Sequence, residues 1–159
     1  MSGVSDIYQE VILDHNKKPR NYKVVKDANH YCHGVNPLCG DDYHVFVKTT
    51  PEGVIDDIGF QGEGCAISKA SASMMTSNVK GKPISEATEA ICHFIELITR
   101  DCLEEKKEAM GSLMAFEGVR KFPVRVKCAA LAWRALEKAL KNESIKDKPS
   151  ENELMISTE

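Results

Sequence analysis

Three cysteines and one aspartate stand in sequence contexts that favour thiolate chemistry. Cys39 lies in a loop built from proline and glycine, with Asp41 two residues after it. Cys65 follows a Gly-Glu-Gly segment at the predicted start of a helix, and Cys128 lies in the first turns of another. Aligned peptide dipoles at a helix N-terminus favour the thiolate, so we expect the pKa of these two thiols to be lowered.

Three sulfurs and one carboxylate make a complete four-coordinate ligand set. Such a set suits tetrahedral zinc or the iron of a cluster. We therefore predict a metal site formed by Cys39, Asp41, Cys65 and Cys128. The spacing alone leaves buried structural thiols open as an alternative, because the chain contains no local Cys-x-x-Cys pair and thiols are common in protein cores.

The other cysteines and the histidines are assigned mainly to packing. Cys102 continues an apolar helical stripe and Cys92 lies beside His93 in mid-helix, so we expect both cysteines to pack rather than to bind metal. Cys32 and His33 fall in a predicted loop, where ligation is a lesser alternative. Surface or packing positions are predicted for His15, His30 and His44.

The composition excludes several classes of function. The 159 residues, 42% of them hydrophobic, suffice for one domain with its own core. A net charge of −3 offers no concentrated positive surface, which argues against a nucleic-acid partner. Without a bilayer-spanning apolar run or a secretory signal, we expect a cytoplasmic protein with no membrane attachment. A reducing compartment disfavours disulfides, so the six cysteines favour metal or thiol chemistry.

Hydrophobic periodicity predicts the elements that must position these residues. Helices are predicted at about 6–16 (capped by Asp6), 66–75, 85–102 and 123–140, strands at 43–48 and 54–60, and a loop over 22–42. Residues 103–121 carry no firm assignment. We expect an α+β fold with a single domain over 1–141 and a polar, flexible tail over 142–159.

Four segments carry motifs that are specific enough to indicate a family. They are Ile7–His15 with Pro19–Asn21, Asn36–Asp41, Gly62–Ser68 and Phe122–Ala129. In this order they resemble the U-type iron–sulfur cluster assembly proteins, the family of IscU and of the N-terminal domain of NifU. The resemblance runs from about residue 6 to residue 141. It implies a small three-stranded antiparallel sheet with helices packed on one face.

Within that family the chain is similar to the SufU branch rather than to the IscU branch. IscU-like scaffolds carry a histidine immediately before the third cysteine, where this chain has Lys127. They also carry a glycine after the second cysteine, where this chain has Ala66. Because a lysine cation has no lone pair to offer, the fourth ligand position falls to Asp41. Residues 103–121 look like the SufU-type insertion.

The SufU resemblance implies a zinc-bound, sulfurtransferase-like carrier. It would take persulfide sulfur from a SufS-type cysteine desulfurase, with Cys39 as acceptor and Cys128 as runner-up, and pass it to a SufB-containing scaffold complex. Arg125 and Lys127 are expected either to attract the persulfide anion or to form a solvated helix start.

Two other functions remain open. One is an IscU-like, non-enzymatic scaffold that assembles a 2Fe–2S cluster from iron on Cys39, Cys65 and Cys128. The other is an interaction module whose zinc is purely structural.

Overall fold

A computed structural model of the chain describes residues 4–100, 111–141 and 155–157. The elements in chain order are α1 (Val4–Lys17), β1 (His30–Asn36), β2 (Asp41–Thr49), β3 (Ile55–Glu63), α2 (Ala66–Val79), α3 (Ile84–Thr99), a 3₁₀ helix (Gly111–Lys121), α4 (Pro123–Lys141) and β4 (Met155–Ser157). Among these described helices, none combines the length and the apolar character that crossing a membrane requires.

The sheet has the strand order β3-β2-β1-β4. β1, β2 and β3 pair antiparallel, whereas the short β4 runs parallel to β1 at the edge. The predicted fold class, α+β with a three-stranded antiparallel sheet, is confirmed, and β4 extends that sheet by one strand. β4 lies inside the segment predicted to be a flexible tail. The rest of 142–159 falls outside the described residues, so the domain limit at residue 141 stays a prediction.

β1 occupies part of the segment that the sequence predicted to be a loop. Its residues alternate between buried and half-buried positions, as in any strand with one face on a core. The inward positions are held by His30, Cys32, Gly34 and Asn36. None of these is a branched apolar residue, so the sequence lacks the alternation of apolar and polar residues by which strands are usually predicted. The loop prediction is therefore wrong for 30–36, where Cys32 and His33 lie on a strand, and for 41–42, which begin β2.

The helices pack in layers on one face of the sheet, called here the inner face, which carries the buried side chains of β1 and β2. α2 and α4 contact each other and the strands, while α3 and the 3₁₀ helix pack on the outer side of α4. Trp133 of α4 stacks on Phe94 of α3 with ring centroids 4.4 Å apart and donates its indole N–H to the Ser71 hydroxyl of α2 at 3.0 Å. This buried contact ties three helices together and fixes how α4 is rotated against the sheet.

Several helix limits differ from the predicted ones. α1 begins at Val4, so Asp6 is not its cap, and α2 continues to Val79, beyond the predicted end at residue 75. α3 ends at Thr99, and Cys102 lies outside the described residues. Of the unassigned stretch, residues 111–121 form the 3₁₀ helix and residues 103–110 are not described. Pro123 is the first residue of α4, a position that tolerates proline because its missing N–H would have had no partner there.

Candidate metal centre

The four predicted ligands come from separate parts of the chain. Cys39 lies in the loop between β1 and β2, and Asp41 is the first residue of β2. Cys65 immediately precedes α2, and Cys128 lies in the second turn of α4.

The loop that carries Cys39 is a tight chain reversal. The backbone N–H groups of Cys39 and Gly40 both point to the Asn36 carbonyl oxygen, at 3.2 and 2.9 Å. Gly40 has a φ of +74°, a left-handed conformation that glycine adopts without steric cost. The reversal returns the chain into β2 directly after Cys39, which keeps Cys39 and Asp41 close together.

Cys39, Asp41 and Cys128 converge at one point. The two sulfur atoms lie 3.1 Å apart, and a carboxylate oxygen of Asp41 lies with them so that all three atoms are within 4.8 Å of one another. Tetrahedral zinc with its usual bond lengths to sulfur requires sulfur atoms about 3.8 Å apart. A small outward shift of one thiol therefore makes room for an ion.

Cys65 is joined to this centre through Asp41 and lies outside the three-residue cluster. Its backbone N–H donates to Asp41 Oδ1 at 2.9 Å. Cys65 lies at the predicted start of α2, and its sulfur caps that helix by accepting the Ser68 N–H at 3.4 Å. The structure thus brings three of the four predicted ligands together and holds the fourth beside them.

The carboxylate of Asp41 supplies the structural reason to expect an ion. Asp41 is only 2% exposed. Its Oδ1 accepts hydrogen bonds from Cys65 N–H and from the Ser68 hydroxyl at 3.0 Å, and Tyr43 supports that hydroxyl at 3.0 Å. Its Oδ2 is buried and has no hydrogen-bond partner in the described part of the chain. A buried carboxylate oxygen without a partner is costly, and a metal ion would satisfy it.

The environment of Cys128 contradicts the expectation of a lowered pKa. Burial raises the pKa of the Cys128 thiol far above its usual value, and the neighbouring Cys39 thiol and Asp41 carboxylate raise it further. The dipole of α4 does not compensate for the loss of water around a thiol that is 2% exposed. Cys128 consequently stays protonated until a cation replaces its proton, which is how metal ions bind such thiols.

The remaining predicted residues lie as follows. Cys32 is fully buried in the core, where burial raises its pKa to about 12, so it does not offer a thiolate. Cys92 is exposed on α3, so the expectation that it packs was wrong. His15 and His30, for which surface or packing positions are predicted, hydrogen-bond to the Ser73 hydroxyl and to the Ala139 carbonyl, and His44 is half-buried on β2.

Sequence reasoning missed the residues that hold Asp41 and Cys128 in place. Ser68 and Tyr43 support the carboxylate, and Asn36 Nδ2 donates to Cys128 Sγ at 3.6 Å. Ser68 could have been found from its spacing, because the residue three positions after a helix N-cap, here Cys65, commonly interacts with that cap. Asn36 and Tyr43 are recognised only once the strand pairing is known.

Comparison with known proteins decides the family. The model of the NifU-like N terminal domain matches residues 7–149. The chain belongs to this family. The protein is 39% identical to the zinc-dependent sulfurtransferase SufU of Bacillus subtilis, with 89% of this chain and 95% of the relative covered. It is 40% identical to the iron–sulfur cluster assembly scaffold protein IscU of Streptococcus pyogenes, with 89% and 87% covered.

A solved structure has the same architecture. The crystal structure of a protein from Fervidobacterium islandicum AW-1, described as an assembly scaffold for the SUF system, superposes with a TM-score of 0.76 at 33% identity. It covers 87% of this chain and all of its own. Because relatives named as a sulfurtransferase and as a scaffold are almost equally similar to this chain, overall identity does not choose between the two functions.

The approach of the β3–α2 connection to Asp41 depends on Gly64. A Cβ atom at this position would lie 2.5 Å from both Asp41 Oδ1 and the Ser68 hydroxyl, and 2.7 Å from the Tyr43 hydroxyl. We expect Gly64→Ala to displace the carboxylate, to reduce zinc content and to cost about 1–3 kcal/mol of stability. Elemental analysis and thermal melts measure both effects. Gly118→Ala is the control, because its Cβ would meet nothing within 4 Å. Equal effects of the two substitutions would contradict this account.

Substitution of each predicted ligand tests the centre directly. Cys39→Ser, Cys65→Ser and Cys128→Ser should sharply lower the zinc content, and the loss of metal should lower the melting temperature. Serine is itself a good helix cap, so Cys65→Ser removes the ligand while α2 keeps its capped start. Cys92→Ser, at an exposed thiol, should leave the zinc content unchanged. Full metal retention in Cys65→Ser would remove that residue from the site.

Proposed function

We propose that this chain is a zinc-bound sulfur acceptor in iron–sulfur cluster assembly. The observation that supports it most is the position of Cys39, a half-buried loop residue whose sulfur lies 3.1 Å from the buried Cys128 sulfur and beside a carboxylate with an unsatisfied oxygen. The centre thus joins a buried thiol, Cys128, to a partly exposed thiol on a loop, Cys39. The name of the B. subtilis relative, a zinc-dependent sulfurtransferase, supports the same assignment.

The ion in this proposal is held by Cys39, Asp41, Cys65 and Cys128. Their donor atoms are those that tetrahedral zinc prefers, and the orphan oxygen of Asp41 is the atom that most needs a cation. Zinc, when bound, keeps its cysteine ligands as thiolates and protects them from oxidation. The residue before Cys128 is Lys127, whose ammonium group offers no lone pair at neutral pH, so the aspartate completes the set.

The transfer step assigns different roles to the two adjacent thiols. The Cys39 sulfur attacks the terminal sulfur of a persulfide on the desulfurase. The sulfur–sulfur bond of the donor breaks, its cysteine leaves as a thiolate, and Cys39 becomes the persulfide. Pro37, Leu38 and Gly40 are all exposed, so the Cys39 loop is reachable by a partner. Cys128 is buried in a packed helix and cannot be approached in the same way.

The proposed sulfur donor is a SufS-type cysteine desulfurase in the cytoplasm, and the proposed recipient is a SufB-containing scaffold complex. Exposed apolar side chains suitable for docking flank the ligands in sequence: Leu38 (65% exposed) precedes Cys39, and Phe122 (50%) and Val124 (54%) lie at the start of the helix that carries Cys128. The Arg125 guanidinium lies over the Phe122 ring at 4.9 Å and adds positive charge to that surface. Such a surface fits a partner that presents apolar and acidic groups around its persulfide.

A scaffold that assembles a 2Fe–2S cluster on the same residues is the second candidate. It is favoured by the S. pyogenes relative, which is named an assembly scaffold, and by the fact that three sulfurs and a carboxylate also suit iron. Anaerobic purification distinguishes the two functions. A colourless protein with about one zinc per chain supports sulfur transfer, whereas a coloured, oxygen-sensitive protein with iron and sulfide supports the scaffold.

The sulfur-acceptor function predicts that zinc-loaded protein increases the turnover of the cysteine desulfurase of the same organism. Removal of the persulfide frees the enzyme for its next cycle, so the rate of alanine release should rise. Cys39→Ser should abolish the stimulation, whereas Cys92→Ser should retain it, because the Cys92 thiol is exposed on α3, outside the candidate centre. Absence of stimulation by the zinc-loaded protein would argue against the relay and for a zinc of purely structural role.

The location of the transferred sulfur is the second prediction of this function. After incubation with desulfurase and cysteine, mass spectrometry of alkylated peptides should find the extra sulfur on Cys39. The reason is its partial exposure on a loop, in contrast to the burial of Cys128 on a packed helix. Modification of Cys128 with Cys39 unmodified would reverse the assignment and favour the scaffold function.

A further inference from the structure

The outer face of the sheet carries a second cluster of metal-ligating side chains. His33 of β1 and His44 of β2 are directly paired across the two strands, and their rings stack with centroids 4.1 Å apart. Asp42 lies two residues before His44, so all three side chains project from the same sheet face. The ligand atoms of this triad lie within 4.8 Å of one another.

From this arrangement we propose that His33, Asp42 and His44 form a second metal site, specific for a divalent first-row transition ion such as zinc, nickel or cobalt. Two imidazoles and one carboxylate are the donors such ions prefer over calcium or magnesium. This site is separate from the thiol centre, by which we mean Cys39, Asp41, Cys65 and Cys128. Successive residues of a strand point to opposite faces of the sheet, so Asp41 points inward and Asp42 points outward. The proposal does not depend on the sulfur-transfer function.

One of the two distances from the Asp42 carboxylate to the imidazole nitrogens is shorter, and the other longer, than the spacing of ligand atoms around a bound ion. Asp42 Oδ1 lies 2.7 Å from His33 Nε2 and 3.8 Å from His44 Nε2. Around a tetrahedral ion with bonds of typical length, ligand atoms are about 3.3 Å apart. Asp42 is half-exposed, so its carboxylate can move by the few tenths of an ångström that insertion of an ion requires.

The surroundings of His44 resemble the support that protein metal ligands usually receive. A ligating histidine commonly has its second ring nitrogen hydrogen-bonded to an oxygen, which fixes the ring. His44 Nδ1 is hydrogen-bonded to the Tyr31 hydroxyl, so Nε2 is the nitrogen directed toward Asp42. Tyr31 also packs against Phe46, which limits the movement of its own ring.

The environment of His33 limits the affinity of the proposed site for a metal ion. Its side chain is 12% exposed, and its Nδ1 is buried without a hydrogen-bond partner among the described residues. Coordination through Nε2 moves the ring proton to this unpartnered nitrogen, which is unfavourable. With two nitrogens and one oxygen instead of thiolates, the site should bind zinc at least about tenfold more weakly than the thiol centre.

The test uses the full chain with its first site filled by one equivalent of zinc. Cobalt is then added, and equilibrium dialysis counts the bound ions while absorption spectra report the ligands. Because zinc binds more tightly than cobalt, the thiol centre keeps its zinc. We expect about one cobalt per chain, with visible d–d bands and without thiolate-to-cobalt charge transfer in the near ultraviolet.

Matched variants make the assignment decisive. His33→Gln and His44→Gln should each weaken cobalt binding at least about tenfold. Their retention of the first zinc shows that they are folded, because that site joins strand, loop and helix. His93→Gln, which removes an imidazole from α3, should bind cobalt like the unaltered chain. The proposal is overturned by an absence of cobalt binding, by charge-transfer bands from thiolates, or by equal binding in all three variants.

Discussion

The buried carboxylate of Asp41 is the interaction on which the candidate centre depends. Placed at the start of β2, it receives the backbone N–H of Cys65 and the hydroxyl of Ser68, and so fixes the beginning of α2 against the sheet. The same carboxylate lies beside Cys39 and Cys128. A negative group at 2% exposure with one unsatisfied oxygen costs free energy in the absence of a cation. Folding and metal binding are therefore expected to be coupled.

The Cys39 and Cys128 sulfur atoms are only 3.1 Å apart, but the two residues differ in burial. Cys128 is buried in α4, and burial raises the pKa of its thiol. Cys39 is half-buried in a short loop whose other residues Pro37, Leu38 and Gly40 are exposed. A metal-protected thiolate that a partner can displace is a suitable carrier for sulfane sulfur, because it is kept ionised between transfers.

Strand geometry explains how one short sheet can present two different sets of candidate ligands. Along β2 the side chains alternate, so Asp41 faces the helices and Asp42 faces outward, one residue later. The inner face joins carboxylate to thiols from the loop and from α4. The outer face joins the next carboxylate to the stacked pair His33 and His44, which the strand register places opposite each other. The thiols therefore lie on the inner face of the sheet and the imidazoles on the outer face, each set with its own carboxylate.

The sequence by itself indicated the candidate ligands, the loop and helix positions of the three cysteines, the start of α4 and the family, because these follow from local motifs. It did not reveal β1, since the inward positions of that strand hold residues such as Cys32 and Asn36 that lack an apolar signature. Only the tertiary structure decided the raised pKa of Cys128 and the proximity of His33 to His44. The physical reason is that desolvation and strand register arise from contacts between distant segments, which no local pattern encodes.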